Sequence, residues 1–232
     1  MKKFLLTLVI IVFTFGFSFA QEVAIVSFSD AMKTNLKSYN AACNNAFEKR
    51  DLAEGQRLFE EFVDTKLVGT QFDDFTIKSL RSKDVQLSKI SKPVYIVTYA
   101  TWCVINKGEV TALNKIANEL NNVQFIVLFW DKEANVKKVA SQFDSSIKVC
   151  YADETTNNAS KIVATLKHTL GFPTTYFLDE NKNVVSIKRV SSEYKPKNTM
   201  DQAVTFSYEN LKRDINSSIL NKRKPNSTLV AN

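Results

Sequence analysis

The sequence predicts an α/β protein in which a central mixed sheet carries helices on both faces, with a helical hairpin before it and one helix after it. Three observations carry this expectation. The runs "PVYIVTYA" (93–100) and "VQFIVLFW" (123–130) are continuous apolar stretches of strand length, the pattern of strands covered on both faces. Segments with helical periodicity lie between and after them. Finally, "TTYFLDENKNVVSIKRV" (174–190) reads as two strands joined by a polar turn at 179–183.

The chain opens with MKKFLLTLVIIVFTFGFSFA, where Lys2 and Lys3 precede an apolar core from Phe4 to Phe17 and a small-x-small site at Ser18-Phe19-Ala20. This is the pattern of a secretory leader, cleaved so that the mature chain begins at Gln21. A membrane anchor is the rival reading. The apolar run is shorter than the roughly 18–20 residues a span needs, and no basic stop-transfer cluster follows it. No cysteine follows the cleavage site to take a lipid, and no later segment is apolar enough to cross a bilayer. The expectation is an exported protein, periplasmic or secreted, with no transmembrane segment once the leader is removed.

From 30 to 65 no proline interrupts a helical pattern, and apolar residues recur at helical spacing: Met32, Leu36, Tyr39, Cys43, Phe47, then Leu58, Phe59, Phe62 and Val63. The polar stretch at 49–56 reads as the turn of an antiparallel pair. The hairpin resembles a single tetratricopeptide-type repeat, which cannot bury its own face and so must pack on the following domain or on a partner. Cys43 sits on its apolar stripe, where a buried structural thiol is the expectation. Downstream, 106–120 has Val110, Leu113, Ile116, Ala117 and Leu120 on one helical face. Helices are expected at 133–143, 158–169 and 201–221, and a short strand at 147–151. The tail after Pro225 reads as disordered. The implied organisation is a leader at 1–20, a helical hairpin at 21–66, an α/β domain at 67–194, and a C-terminal helix and tail at 195–232.

Hydrophobic residues make up 44% of the chain, a globular value. The formal charge of +7 becomes +5 without Lys2 and Lys3, and it is spread out apart from Lys222-Arg223-Lys224. With no basic-aromatic interleaving, nucleic acid is not an expected partner. No Gly-rich phosphate loop, Ser-His-Asp pattern or paired carboxylate site stands out, and Asp153, Glu154, Asp179 and Glu180 read as solvated loop positions. His168, the only histidine, falls at the end of a predicted helix, where its charge suits the helix C-terminus; a proton donor to Cys103 is the alternative. It has no cysteine or histidine at ligand spacing, so neither metal nor cofactor is expected.

Cys43, Cys103 and Cys150 are too few for a disulfide scaffold, and an odd count leaves at least one thiol unpaired within the chain. The informative cysteine is in "YATWCVIN" (99–106). A strand ending in Trp-Cys, a helix, a strand, further α/β units and then "GFPTTYFLDENKNVV" before a hairpin together resemble the thioredoxin fold. Within it they are most similar to the exported TlpA and redoxin-type thiol-disulfide oxidoreductases, whose opening segment is matched by "VGTQFDDFTIKSL". The resemblance covers 67–190, and leaves the helical hairpin and the last helix outside it.

The resemblance implies that Cys103 is the catalytic thiol, that Trp102 lies beside it, and that Pro173 is the cis-proline lying against it. Phe172 would then be free to pair its backbone with an extended substrate. A cysteine in the first turn of a helix would have its thiolate stabilised by unpaired N–H groups, with Lys107 adding to the effect. Two departures matter. Asn106 stands at the resolving position of the Cys-x-x-Cys motif, and an amide cannot resolve a mixed disulfide. Val97 stands where many thioredoxins bury a carboxylate. Three readings remain open: a monothiol site exchanging with a protein or small-thiol client, a redox-silent binding module holding a protein partner, or a distant resolving role for Cys150.

Overall fold

The computed structural model describes residues 26–103, 108–155, 160–189 and 199–221. The leader at 1–20, the positions Asn106 and Lys107, and the C-terminal tail lie outside them. Helix α1 (Phe28–Glu48) starts at Ser27, whose hydroxyl accepts from the Asp30 N–H, and α2 (Leu52–Phe62) starts at Asp51, whose carboxylate accepts from the Glu54 N–H. The turn between them is shorter than the sequence suggests, because Asp51 already caps the second helix. A π-helical turn at Val63–Leu67 then leads to β1 (Thr76–Ser79) and β2 (Val85–Gln86).

The remaining elements are β3 (Val94–Tyr99), α3 (Glu109–Glu119), β4 (Gln124–Phe129), α4 (Glu133–Val139), β5 (Ile147–Tyr151), α5 (Ser160–Ile162), α6 (His168–Leu170), β6 (Thr174–Leu178), β7 (Val184–Arg189) and α7 (Met200–Asn221). A π-helical turn at Val163–Lys167 joins α5 to α6. Among the described residues seven strands form one sheet in the order β2-β1-β5-β4-β3-β6-β7. Strands β3, β4 and β5 run parallel, while β6 and β7 are antiparallel to their neighbours. This is the thioredoxin-like arrangement, a parallel β3–α3–β4 unit joined to an antiparallel β6–β7 pair.

Strand alternation divides the core in two. Tyr95, Val97 and Tyr99 of β3, with Phe125, Val127 and Phe129 of β4, face α3, α4 and α7. Val94 and Ile96, with Ile126 and Leu128, face the opposite side, where Phe28, Met32, Phe59, Phe62 and Leu67 of the helical hairpin and its π-turn cover the sheet. Most of the hairpin's apolar stripe is thus covered within this chain, while Phe47 at its far end is 81% exposed. Cys43 packs against that layer and is only partly buried, so the expectation of a buried thiol is corrected: it lies toward the C-terminal end of α1, where Phe47 is exposed, and the deep contacts are made by Phe28, Ala31 and Met32.

The C-terminal helix is bound from several directions. Ile215 is buried in the α3-side core, Lys188 Nζ reaches Asp214 Oδ1 at 2.6 Å, and Ser186 and Ser218 share a hydrogen bond of 2.8 Å. Tyr208 donates to the Glu119 carboxylate at the end of α3. At the other end of α3 the approach is closer still. A Cβ added at Gly108 would lie 2.5 Å from the Val204 backbone nitrogen, and Gly108 has a φ of +85°. Only glycine meets both conditions without strain.

Candidate functional site

Sheet topology brings the two sequence motifs together. Strand β3 pairs antiparallel with β6 so that Thr98 lies opposite Thr174. The end of β3, which runs on into Thr101-Trp102-Cys103, therefore meets the start of β6, which follows Phe172-Pro173. Thr98 fastens the junction: its hydroxyl donates to the Thr174 carbonyl at 3.1 Å and accepts from the Thr174 N–H at 3.2 Å. The rings of Trp102 and Phe172 meet edge to face, with centroids 5.5 Å apart. The Phe172–Pro173 peptide bond is cis.

Cys103 closes a tight turn. Its N–H donates to the Ala100 carbonyl at 2.9 Å, and the Ala100 N–H points back at the Cys103 sulfur at 3.4 Å. The thiol is half-buried, while the neighbouring Trp102 is 73% exposed. Among the described residues helix α3 begins at Glu109, with Gly108 as its N-cap in a left-handed conformation, and positions 104–107, where a turn opened by Cys103 would run, lie outside the described residues. Gly108 itself lies close against the backbone of α7.

A buried carboxylate is present, although not on β3. Val97 lies in the α3-side core as an ordinary apolar residue. Glu109, at the first position of α3, is buried and accepts from the Tyr99 hydroxyl. Burial and the adjacent Glu109 charge push the Tyr99 hydroxyl well above its ordinary range, and Cys103 contributes in the same direction. A signal for Glu109 was available in the sequence. Residues 109, 112, 113 and 116 share one helical face, so Glu109 is an acid on an otherwise apolar stripe.

Two further groups escaped the sequence reading. Asp131, just past β4, accepts from the Thr101 hydroxyl, from the Lys132 N–H at 2.7 Å and from Asn135 Nδ2 at 2.8 Å. Lys167 forms an ion pair with Glu154 and lies 5.7 Å from the Phe172 ring centroid. Glu154 itself is an exposed turn residue, as expected, and its carboxylate pairs with Lys167. His168 falls in α6. Cys150 is fully buried on β5, and burial pushes its thiol up to about 12. All three cysteines are free thiols. Among the described residues no cluster of three His, Cys, Asp or Glu could hold a metal ion, and no helix is long and apolar enough to cross a membrane.

The family model described as AhpC/TSA matches residues 68–187, more than half of the chain. The chain belongs to the AhpC/TSA family. The matched segment of this AhpC/TSA protein runs from the end of the helical hairpin to β7, and so contains both the Cys103 turn and the Pro173 loop. No curated protein matches it. Among solved structures it is similar to a protein named as the thiol:disulfide interchange protein DsbE of Chlorobium tepidum, at 20% identity and a TM-score of 0.49, over 66% of this chain and 97% of that one. It is also similar to the thioredoxin domain of a thiol-disulfide oxidoreductase from Bacteroides vulgatus, at 16% identity and a TM-score of 0.48, over 64% and 97%. A third is an exposed lipoprotein thioredoxin from Streptococcus pneumoniae, at 20% identity and a TM-score of 0.42, over 59% and 99%.

Proposed function

We propose that this AhpC/TSA-family chain is an exported thiol-disulfide exchange protein that works through Cys103 as a single thiol. In this reading the leader at 1–20 is removed on export. The supporting observation is the meeting of the Cys103 turn with the proline loop, marked by the Trp102–Phe172 contact at 5.5 Å. An extended client segment would lie along Phe172 and Pro173 with its disulfide over Cys103. The Cys103 thiolate attacks one client sulfur, the client disulfide breaks, and the second client sulfur leaves as a thiolate. An external small thiol then attacks the mixed disulfide, forms a new disulfide with the client sulfur and returns Cys103 as a thiolate. No net electrons accumulate on the protein.

The Ala100 N–H aimed at the sulfur fixes where the thiol sits in the turn. Cys150 is a poor resolving thiol, because burial keeps it protonated at neutral pH. The competing reading is a redox-silent binding module, favoured by Asn106 at the resolving position. The deciding experiment is glutathione exchange and mixed-disulfide trapping with the mature chain. The expected result is exchange that Cys103→Ser abolishes while Cys43→Ser leaves it in place. Absence of exchange in the wild type would refute the redox reading and leave the binding one.

A further inference from the structure

We propose that Asp131 is a positioning residue, which through the Thr101 hydroxyl holds the Trp102–Cys103 turn in place against the proline loop. The backbone sets up the contact. Trp130 N–H donates to the carbonyl of Tyr99, the last residue of β3, at 2.8 Å, which carries the Tyr99–Phe129 register one step beyond β4 and brings residue 131 alongside residue 101. The Thr101 hydroxyl donates to Asp131 Oδ2. Oδ1 is held from the α4 side by the Lys132 N–H at 2.7 Å and Asn135 Nδ2 at 2.8 Å. The carboxylate therefore cannot turn to follow Thr101, and Thr101 is tied to a fixed point on the framework.

The sulfur depends on this tie. Its contact with the Ala100 N–H at 3.4 Å and the Cys103 N–H bond to the Ala100 carbonyl at 2.9 Å both exist only while the turn spanning Thr101 is closed. Burial raises the Asp131 carboxyl, but the bonds from Thr101, Asn135 and Lys132 outweigh it and hold the group below the usual carboxylate range. The acceptor is thus charged, and a hydroxyl bond to a charged acceptor is the stronger kind. Attack on a disulfide tolerates little misplacement of the nucleophile, so a clamp on the turn acts on rate without touching substrate.

This inference rests on Cys103 being the reacting thiol, and its test uses a reaction that needs no disulfide chemistry. The alkylation rate of Cys103 by iodoacetamide is measured at pH 7.5 in the full mature chain by mass spectrometry, with Cys43 of the same molecules as the internal reference. Thr101→Val removes the hydroxyl at constant shape and leaves the bonds from Asp131 to Lys132 and Asn135 intact. The expected result is a fall in the Cys103 to Cys43 rate ratio of about fivefold, recovery in Thr101→Ser, and a fall at least as large in Asp131→Ala, which also removes the acceptor of the Thr101 backbone N–H. An unchanged ratio in Thr101→Val, or a fall there that Asp131→Ala does not share, overturns the proposal. So does a fall accompanied by new labelling of buried Cys150, which would mean general loosening. Failure of glutathione exchange with the alkylation result intact would instead remove the redox reading and leave Asp131 in its role.

Discussion

The hydroxyl of Tyr99 donates to Oε1 of Glu109, joining the last residue of β3 to the first of α3 within electrostatic reach of Cys103. Both residues are buried, so the pair supplies the polar satisfaction that a buried carboxylate requires. Tyr99→Phe is expected to cost about 1–3 kcal/mol, because it strips a donor from a buried acid. Urea unfolding measures it, and an unchanged midpoint would show that the bond carries no stability.

Tyr176 presents the opposite case. Its hydroxyl is buried without a hydrogen-bond partner, and its ring packs edge to face on Phe72 at 5.8 Å. Tyr176→Phe keeps the ring and removes the stranded hydroxyl, so stability should hold or rise by about 1 kcal/mol. A loss larger than that in thermal unfolding would mean the hydroxyl is satisfied after all.

Burial pushes the hydroxyls of Tyr95, Tyr99 and Tyr176 above the ordinary tyrosine range. In the unfolded chain they ionise near the reference value of about 10. Above that pH the unfolded state binds fewer protons than the folded one, so stability is fully present below about pH 10 and falls as pH rises beyond it. Unfolding midpoints at pH 9 and pH 11 should differ in that sense. The slope should flatten in Tyr176→Phe, and a flat profile in the wild type would contradict the burial.

Two glycines should respond in opposite directions to alanine. Gly108→Ala places a Cβ 2.5 Å from the Val204 nitrogen at a φ of +85°, and is expected to cost about 2–4 kcal/mol from strain and overpacking. Gly55 lies inside α2 with nothing within 4 Å of an added Cβ, so Gly55→Ala should stabilise by about 0.5–1 kcal/mol. Comparable melting temperatures for the two variants would disprove the account of Gly108.

Cys150 should alkylate only on unfolding, since burial pushes its thiol up to about 12 and removes it from solvent. Labelling of native protein, followed by a second reagent in denaturant, separates it from Cys43 and Cys103. Modification of Cys150 in the first step would reopen its resolving role.

Apolar patterning made most elements of the fold legible. Strand β5 lies over the residues where the sequence placed it, and β3, β4, β6 and β7 lie within a residue of expectation, because buried strands must be continuously apolar. Strands β1 and β2 were not individually visible, since runs of four and two residues, each with one buried apolar side chain, Ile77 and Val85, are too short to show a period. Cys103, Trp102, Phe172 and Pro173 could be named because motif and neighbours stand together in the chain. Asp131 could not, because its meaning depends on a β3–β4 register that carries it 30 residues in sequence to Thr101.

The sequence by itself determined the α/β class, a sheet covered on both faces, and the residue identities Trp102, Cys103, Asn106, Phe172 and Pro173. These follow from periodicity and residue identity, which are local. The tertiary structure decided where the helical hairpin finds its cover, that Gly108 caps α3 close against the C-terminal helix, and that Glu109 meets Tyr99 and Asp131 meets Thr101 just before the cysteine. Those relations arise from how separate elements close on one another, and a charged or small side chain does not announce its distant partner before the chain has folded.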